Sequence, residues 1–268
     1  MTDPRAGWKL LIGGSAPEGL DPRLVRRFVE LAGGRSHARL AVVPSASEEV
    51  PETVATYREA FGHEGVRHLD VLDVRSRGEA DAPETLKRLE KATGVMFTGG
   101  DQLRLLEIFS GARFMAALRR RIREGMVVGG SSAGAMAMGD PAIVRGEPTE
   151  FYEDGAIRHA PGLGLVPRVC VDTHFVVRGR LPRLVAVVAL YPDIVGLGIE
   201  ENSGVEVSPE GVATVLGDGV VCVVEGAGRG ALPARAGHDR ALSCAGLTLH
   251  VLAAGGSYDL RTRRVLRT

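Results

Sequence analysis

The sequence predicts an α/β protein: a largely parallel sheet with helices on both faces, and antiparallel strands appended at its C-terminal end. Two observations carry this prediction. Through the first two thirds of the chain, short apolar runs alternate with amphipathic stretches, the pattern of βα units feeding a parallel sheet. From Val205 the text changes to short apolar segments broken by the turn signals Pro209-Glu210-Gly211 and Gly217-Asp218-Gly219, which read as antiparallel hairpins. With no internal repeat and no Pro/Gly/Ser-rich linker, residues 1–268 read as one domain whose β-rich portion begins near residue 203.

The elements follow in order. Trp8 to Ile12 is a buried strand, and Asp21-Pro22 supplies an N-cap and first-turn proline for a helix ending near Gly33-Gly34. Leu40 to Val43 is a second strand, followed by a helix around Glu48 to Phe61, a strand from Val66 to Val71 and a helix from Pro83 to Lys91. Val95 to Thr98 is the next strand, then helices near Leu103 to Phe109 and Phe114 to Glu124, and the strand Met126 to Gly129. After Ser132 the small-residue run AGAMAMG is helical, whereas Asp140 to Pro167 is irregular and suits a lid or the side of a cleft. Alternation resumes with the strand Val169 to Val171, the helix Pro182 to Leu190 and the strand Ile194 to Ile199.

Composition narrows the function classes. Hydrophobic residues at 44%, with 36 Gly and 14 Pro, describe a globular chain rather than a disordered one. Lys plus Arg (33) balances Asp plus Glu (33), so no net field gathers nucleic acid or anionic lipid, and neither is expected as a partner. Cys170, Cys222 and Cys244 show no CxxC or CxxH spacing, which argues against a disulfide framework and a structural zinc and favours a reducing cytoplasm. No signal-peptide-like or membrane-spanning apolar run is apparent.

The chemistry concentrates in MVVGGSSAGAMAMG, a strand, a tight turn and a helix around Gly130-Ser131-Ser132-Ala133-Gly134. This G-x-S-x-G core fits a nucleophile elbow, where a serine hydroxyl stands above the sheet edge and its neighbours must be small. Ser131 competes with Ser132 but lacks a glycine two residues on, so Ser132 is the candidate nucleophile. The amide of Ala133 opens the helix and suits an oxyanion. A serine needs a base, and His174 follows the strand RVCVD at its C-terminal end, the edge where open α/β sheets place their sites. Glu200 and Glu201 stand after the strand Ile194 to Ile199, in position to hold that histidine. The order Ser132, His174, glutamate argues against an ordinary α/β-hydrolase, in which the acid precedes the histidine. In VMFTGGDQLRLL, Gly99 and Gly100 allow close backbone approach for a second oxyanion donor, Asp101 suits an N-cap, and Asp101 and Gln102 can meet polar substrate groups. Arg178, Arg180 and Arg183 form a basic string beside His174, fit to bind carboxylates bidentately. Asp172, His174 and Glu201 offer a single imidazole and no HxxxH spacing, so no metal site is expected.

Four separated strings, TGGDQ, GSSAGA, VDTHFVVRGRLPRL and GLGIEEN, with GGSYDLRTR near the end, resemble the cyanophycinase family of serine peptidases and its relatives. That family shares a fold similar to class I glutamine amidotransferases. The matches run from about residue 12 to about residue 258, nearly the whole chain, whereas related small aspartyl dipeptidases are shorter and lack the histidine-then-arginine string. The resemblance implies a nucleophile at Ser132, a base at His174, its carboxylate partner at Glu201, and substrate contacts from Gln102, Asp172, Thr173, Arg178, Arg180 and Arg183. It also implies a homodimer, no cofactor, and cyanophycin as substrate: an aspartate backbone whose side-chain carboxyls carry arginine in isopeptide linkage, released as β-Asp-Arg dipeptides. In that picture the arginines hold an aspartyl carboxylate and Asp172 a substrate guanidinium. The family usually reads DQHF where this chain has Asp172-Thr173-His174-Phe175, so a shorter side chain stands beside the proposed base. Two other readings are a related peptidase acting on small acidic or isoaspartyl peptides, and a catalytically silent module binding an acidic ligand.

Overall fold

The computed structural model describes residues 7–15, 19–146, 157–226 and 244–268. Its first half is β1 (Lys9–Ile12), α1 (Pro22–Leu31), β2 (Arg39–Val43), α2 (Val50–His63), β3 (His68–Val71), α3 (Arg77–Ala80), α4 (Pro83–Glu90), β4 (Gly94–Phe97), α5 (Gln102–Phe109), α6 (Arg113–Arg123), β5 (Val127–Ser131) and α7 (Ala133–Met138). Strands β3, β2, β4, β5 and β1 lie side by side in that order, all parallel. Local chemistry starts the helices as the sequence leads one to expect. Asp21 accepts a hydrogen bond from the amide of Arg23 at 2.8 Å with Pro22 beside it, and Asp101 caps α5 through the amide of Leu103 at 2.8 Å. Amphipathic spacing then buries Leu24, Val25, Phe28, Val29 and Leu31 of α1 against one face of the sheet. Phe97, Phe109 and Phe114 fill the other face, each fully buried and each worth about 1.5–3 kcal/mol in transfer from water.

Strand β5 runs to Ser131, two residues beyond the sequence expectation, because Gly130 and Ser131 continue the parallel pairing opposite Leu11 and Ile12 of β1. The short α3, capped by Ser76 through the amide of Glu79, is an addition to the elements expected from the sequence.

The second half contains β6 (Ala142–Arg145), β7 (Arg158–Ala160), β8 (Val169–Thr173), α8 (Leu181–Leu190), β9 (Val195–Ile199), β10 (Ser203–Val207), β11 (Val212–Gly217), β12 (Val221–Glu225), β13 (Thr248–Leu252), β14 (Ser257–Asp259) and β15 (Arg264–Arg267). The expected antiparallel addition is present: β10, β11, β14 and β15 extend the main sheet to nine strands, starting from the free edge of β1. The resumed alternation takes a different course. Strands β8 and β9 are parallel to each other, but they build a second sheet, ordered β13, β12, β9, β8, because β10 already occupies the edge of β1. Of the irregular stretch 140–167, the described part forms the two-stranded pair β6–β7, and residues 147–156 lie outside the described residues, as do residues 227–243 of the expected hairpin region. Among the described residues no helix is long and apolar enough to cross a membrane.

Candidate active site

The C-terminal ends of strands from both sheets converge on one serine. After β5 the chain turns sharply at Ser132, whose φ of 51° and ψ of −116° place a non-glycine residue in strained backbone. The amide of Ser132 donates to the Ile12 carbonyl at 2.9 Å, which pins the turn to β1. Smallness on either side is obligatory: a Cβ on Gly130 would meet the Gly134 carbonyl carbon at 2.5 Å, and one on Gly134 would meet the Phe97 oxygen at 2.3 Å. Ser131 is buried, and its side chain lies near the hydroxyl of Tyr57, whose pKa burial pushes up to about 12, so that it stays protonated.

His174, the first residue after β8, also takes a positive φ, 49°, and its amide donates to the Gly13 carbonyl at 2.9 Å. Its Nε2 lies 2.9 Å from Ser132 Oγ and its Nδ1 lies 2.6 Å from Glu201 Oε1. Because an ionised carboxylate only accepts, Nδ1 carries the proton toward Glu201, and Nε2 is left to accept from the serine hydroxyl. Glu200 plays a different part, since its Oε2 accepts from the amides of Val176 and Val177 and ties down the turn that follows His174.

The glycine pair after β1 makes room for this junction, a role that sequence reading missed. A Cβ on Gly13 would stand 2.0 Å from the Glu200 oxygen, and one on Gly14, whose φ is +124°, would stand 2.3 Å from His174 Cε1. The Gly14 carbonyl also accepts from the amide of Asn202 at 3.2 Å. Gly14→Ala should therefore push the imidazole off the Ser132 hydroxyl. We expect kcat to fall by about 10²-fold or more, the usual penalty for an ångström of misplacement, while substrate KM changes little. Steady-state kinetics check this, and unchanged kcat would contradict it.

Burial holds the His174 imidazole below its ordinary range; the Glu201 carboxylate opposes this, and the nearby Arg178 and Arg180 charges add to the lowering. The neutral form, which can accept a proton, thus prevails at neutral pH. The acid limb of kcat/KM should lie below the ordinary histidine value of 6.5, and Arg178→Gln should move it upward by removing one of the lowering charges. A pH profile of both proteins tests the direction, and a downward move in the variant would contradict it.

Around Ser132 Oγ lie three backbone amides that make no backbone hydrogen bond among the described residues: those of Ala133, Gly99 and Gly100. A Cβ on Gly99 would sit 3.9 Å from Ser132 Oγ, so that backbone passes directly beside the serine. Gly100, at φ +133°, packs on the Ala46 carbonyl, which a Cβ would approach to 2.1 Å.

Ser132 stands where two lobes of a cleft meet. One, of about 690 Å³, carries the carboxylates of Glu48, Glu49 and Glu52 with Tyr57 and His174 on its walls. The other, of about 430 Å³, is walled by Gln102, Arg145, Arg178, Arg180 and Arg183. The acidic wall lies at the start of the stretch that reads as a helix from Glu48; its partial signal is the density of acids in SEEVPE, shortly after β2. Three sequence expectations need correction. Asp172 is fully buried, forked by Arg183 through Nε at 2.5 Å and Nη2, with Arg180 Nη1 at 3.4 Å, so it cannot hold a substrate guanidinium. Thr173 is also fully buried and does not line the cleft. Arg183 lines the basic lobe, but its guanidinium is committed to Asp172 and, through Nη1, to the Gly146 carbonyl at 3.0 Å. Gln102 reaches the lobe while its amide nitrogen donates to the carbonyl of Ile143 at 2.8 Å. Among the described residues no group of three or more metal-ligating side chains occurs.

The chain is 36% identical over 263 residues to a cyanophycinase of Synechococcus elongatus, covering 97% of this chain and 81% of that protein. It is 35% identical over 266 residues to one of Trichormus variabilis (96% and 87% covered) and 34% identical over 257 residues to one of Geminocystis herdmanii (95% and 94%). Its fold resembles the crystal structure of a peptidase from an acI-B1 Actinobacterium, with a TM-score of 0.71 at 21% identity over 95% of this chain and 97% of the other. A putative peptidase E protein of Listeria monocytogenes is more distant, with a TM-score of 0.55 at 18% identity over 78% of this chain and 98% of the other. The peptidase family S51 profile matches residues 10–215, and with these relatives it shows that the chain belongs to family S51, a family of serine peptidases.

Proposed function

We propose that the protein is a cytoplasmic cyanophycinase-like serine exopeptidase that hydrolyses the aspartate backbone of cyanophycin to β-Asp-Arg dipeptides through an acyl-enzyme. One observation supports this best: the Ser132–His174–Glu201 chain of hydrogen bonds stands between a carboxylate-walled lobe and a guanidinium-walled lobe. Each branch of the polymer spends the arginine amino group on the isopeptide bond, which leaves a free carboxylate and a free guanidinium. A substrate carrying both charges is matched by a cleft carrying both. Glu49 and Glu52, beside a Glu48 that is paired with Arg104, take the guanidinium role that Asp172, being buried, cannot take.

Ser132 Oγ attacks the backbone carbonyl as its proton passes to His174 Nε2, and Glu201 stabilises the imidazolium that forms. The tetrahedral oxyanion sits against the amides of Ala133 and Gly99 or Gly100. Collapse expels the amine, which takes the proton from Nε2, and a water activated by the same imidazole then releases the acid and restores Ser132. The free thiols of Cys170, Cys222 and Cys244 suit a reducing compartment. Digestion of purified cyanophycin followed by mass analysis tests the proposal. Release of β-Asp-Arg dipeptides is the expected result. Intact polymer alongside cleavage of small α- or β-aspartyl dipeptides by the same preparation would contradict it.

A further inference from the structure

Arg145 ends β6 on the wall of the basic lobe and is exposed there. It lies in the stretch that reads as irregular, and nothing in the sequence singles it out. Elsewhere on the surface, arginines such as Arg26, Arg88, Arg104 and Arg120 each sit against a carboxylate. Arg183 and Arg180 share Asp172. Among the described residues no carboxylate comes within ion-pair distance of Arg145 or Arg178, although both line the same cavity. Arg145 also lies opposite Arg158 in the β6–β7 ladder, and like charges directly opposite on a sheet are destabilising. Among the described residues that line this lobe none is an acid, and its two exposed guanidiniums, Arg145 and Arg178, have donors to spare.

We infer that Arg145 and Arg178 form a carboxylate-binding subsite on the basic side of Ser132, and that Arg145 determines this enzyme's preference for substrates with a free carboxylate there. The inference rests on the reading of the cleft as a peptidase site and names what its basic lobe takes: in cyanophycin, the free carboxylate of the isopeptide-linked arginine. A guanidinium binds such a group through two parallel N–H···O bonds, which neither an amide nor an ammonium reproduces.

Two measurements test it. In the first, kcat/KM is compared for a short β-Asp-Arg oligomer and its arginine-carboxamide counterpart, with wild type, Arg145→Gln and Arg145→Lys. Wild type should prefer the acid at least tenfold. Arg145→Gln should lose about tenfold of that preference, chiefly through KM for the acid, and Arg145→Lys should recover only part of it. In the second, calorimetry follows β-Asp-Arg and its carboxamide binding to Ser132→Ala protein with and without Arg145→Gln. Failure of wild type to cleave the polymer would overturn the proposed function alone. The subsite would still be supported by an acid-over-carboxamide affinity that Arg145→Gln abolishes. An unchanged ratio, or no binding of the dipeptide acid, would overturn it.

Discussion

Ser132→Ala should lower kcat on cyanophycin, the proposed substrate, by about 10⁴–10⁶-fold and leave KM close to the wild-type value, the pattern of losing an interaction made only during the chemical step. The residual rate should come from the proposed oxyanion donors, the amides of Ala133 and Gly99, which the substitution leaves in place. Ser131→Ala is the informative partner. Its side chain is buried, and the His174 imidazole is hydrogen-bonded to Ser132 instead, so its loss should cost less than tenfold in kcat. Equal losses in the two variants would mean that the elbow, not the hydroxyl of Ser132, carries the effect. Loss in Ser131→Ala alone would move the nucleophile by one residue.

Asp172→Asn should destabilise the protein by about 3–5 kcal/mol, the usual consequence of removing one partner from a buried ion pair. Arg183 has 7% of its side chain exposed and Asp172 none, so the guanidinium left behind keeps the Gly146 carbonyl and the asparagine amide oxygen but has no carboxylate to balance its charge. A thermal melt should fall by roughly 10 °C. This outcome separates the two roles open to Asp172. A carboxylate that touched substrate would raise KM and leave the melt in place, whereas a buried partner of Arg183 lowers the melt whatever the substrate. An unchanged melting temperature would contradict the structural role.

What the sequence reveals and what it hides divide by range. The Ser132 elbow is legible because its constraints are local: β-branched strand, small residues, short helix, all within about a dozen positions. His174 and Glu201 are legible as residues just past strand ends, even though those strands turn out to belong to a second sheet. Asp172 misleads for a physical reason. Strand β8 is buried at all five positions, so the alternation that separates inward from outward side chains on a half-exposed strand is missing. Its neighbour Arg183 arrives from α8, eleven residues later, and only the folded chain shows that the two meet. Gly14 works through a contact with the ring of His174, far along the chain, and nothing local marks it beyond a tight glycine pair after a strand. Glu48, Glu49 and Glu52 look like the solvated face of a helix until the ends of β4 and β5 are placed opposite them.

Everything proposed for the cleft depends on Ser132 being the nucleophile, activated by His174 and held in register by Glu201. Reaction of the intact protein with a fluorophosphonate, followed by peptide mapping, tests this most directly, because the probe forms a stable bond only with an activated serine. We expect one adduct per chain, on Ser132, formed at least a hundredfold more slowly in His174→Ala and more slowly in Glu201→Gln, with Glu200→Gln close to wild type. An adduct on Ser131, or labelling of Ser132 at the same rate in His174→Ala, would contradict it.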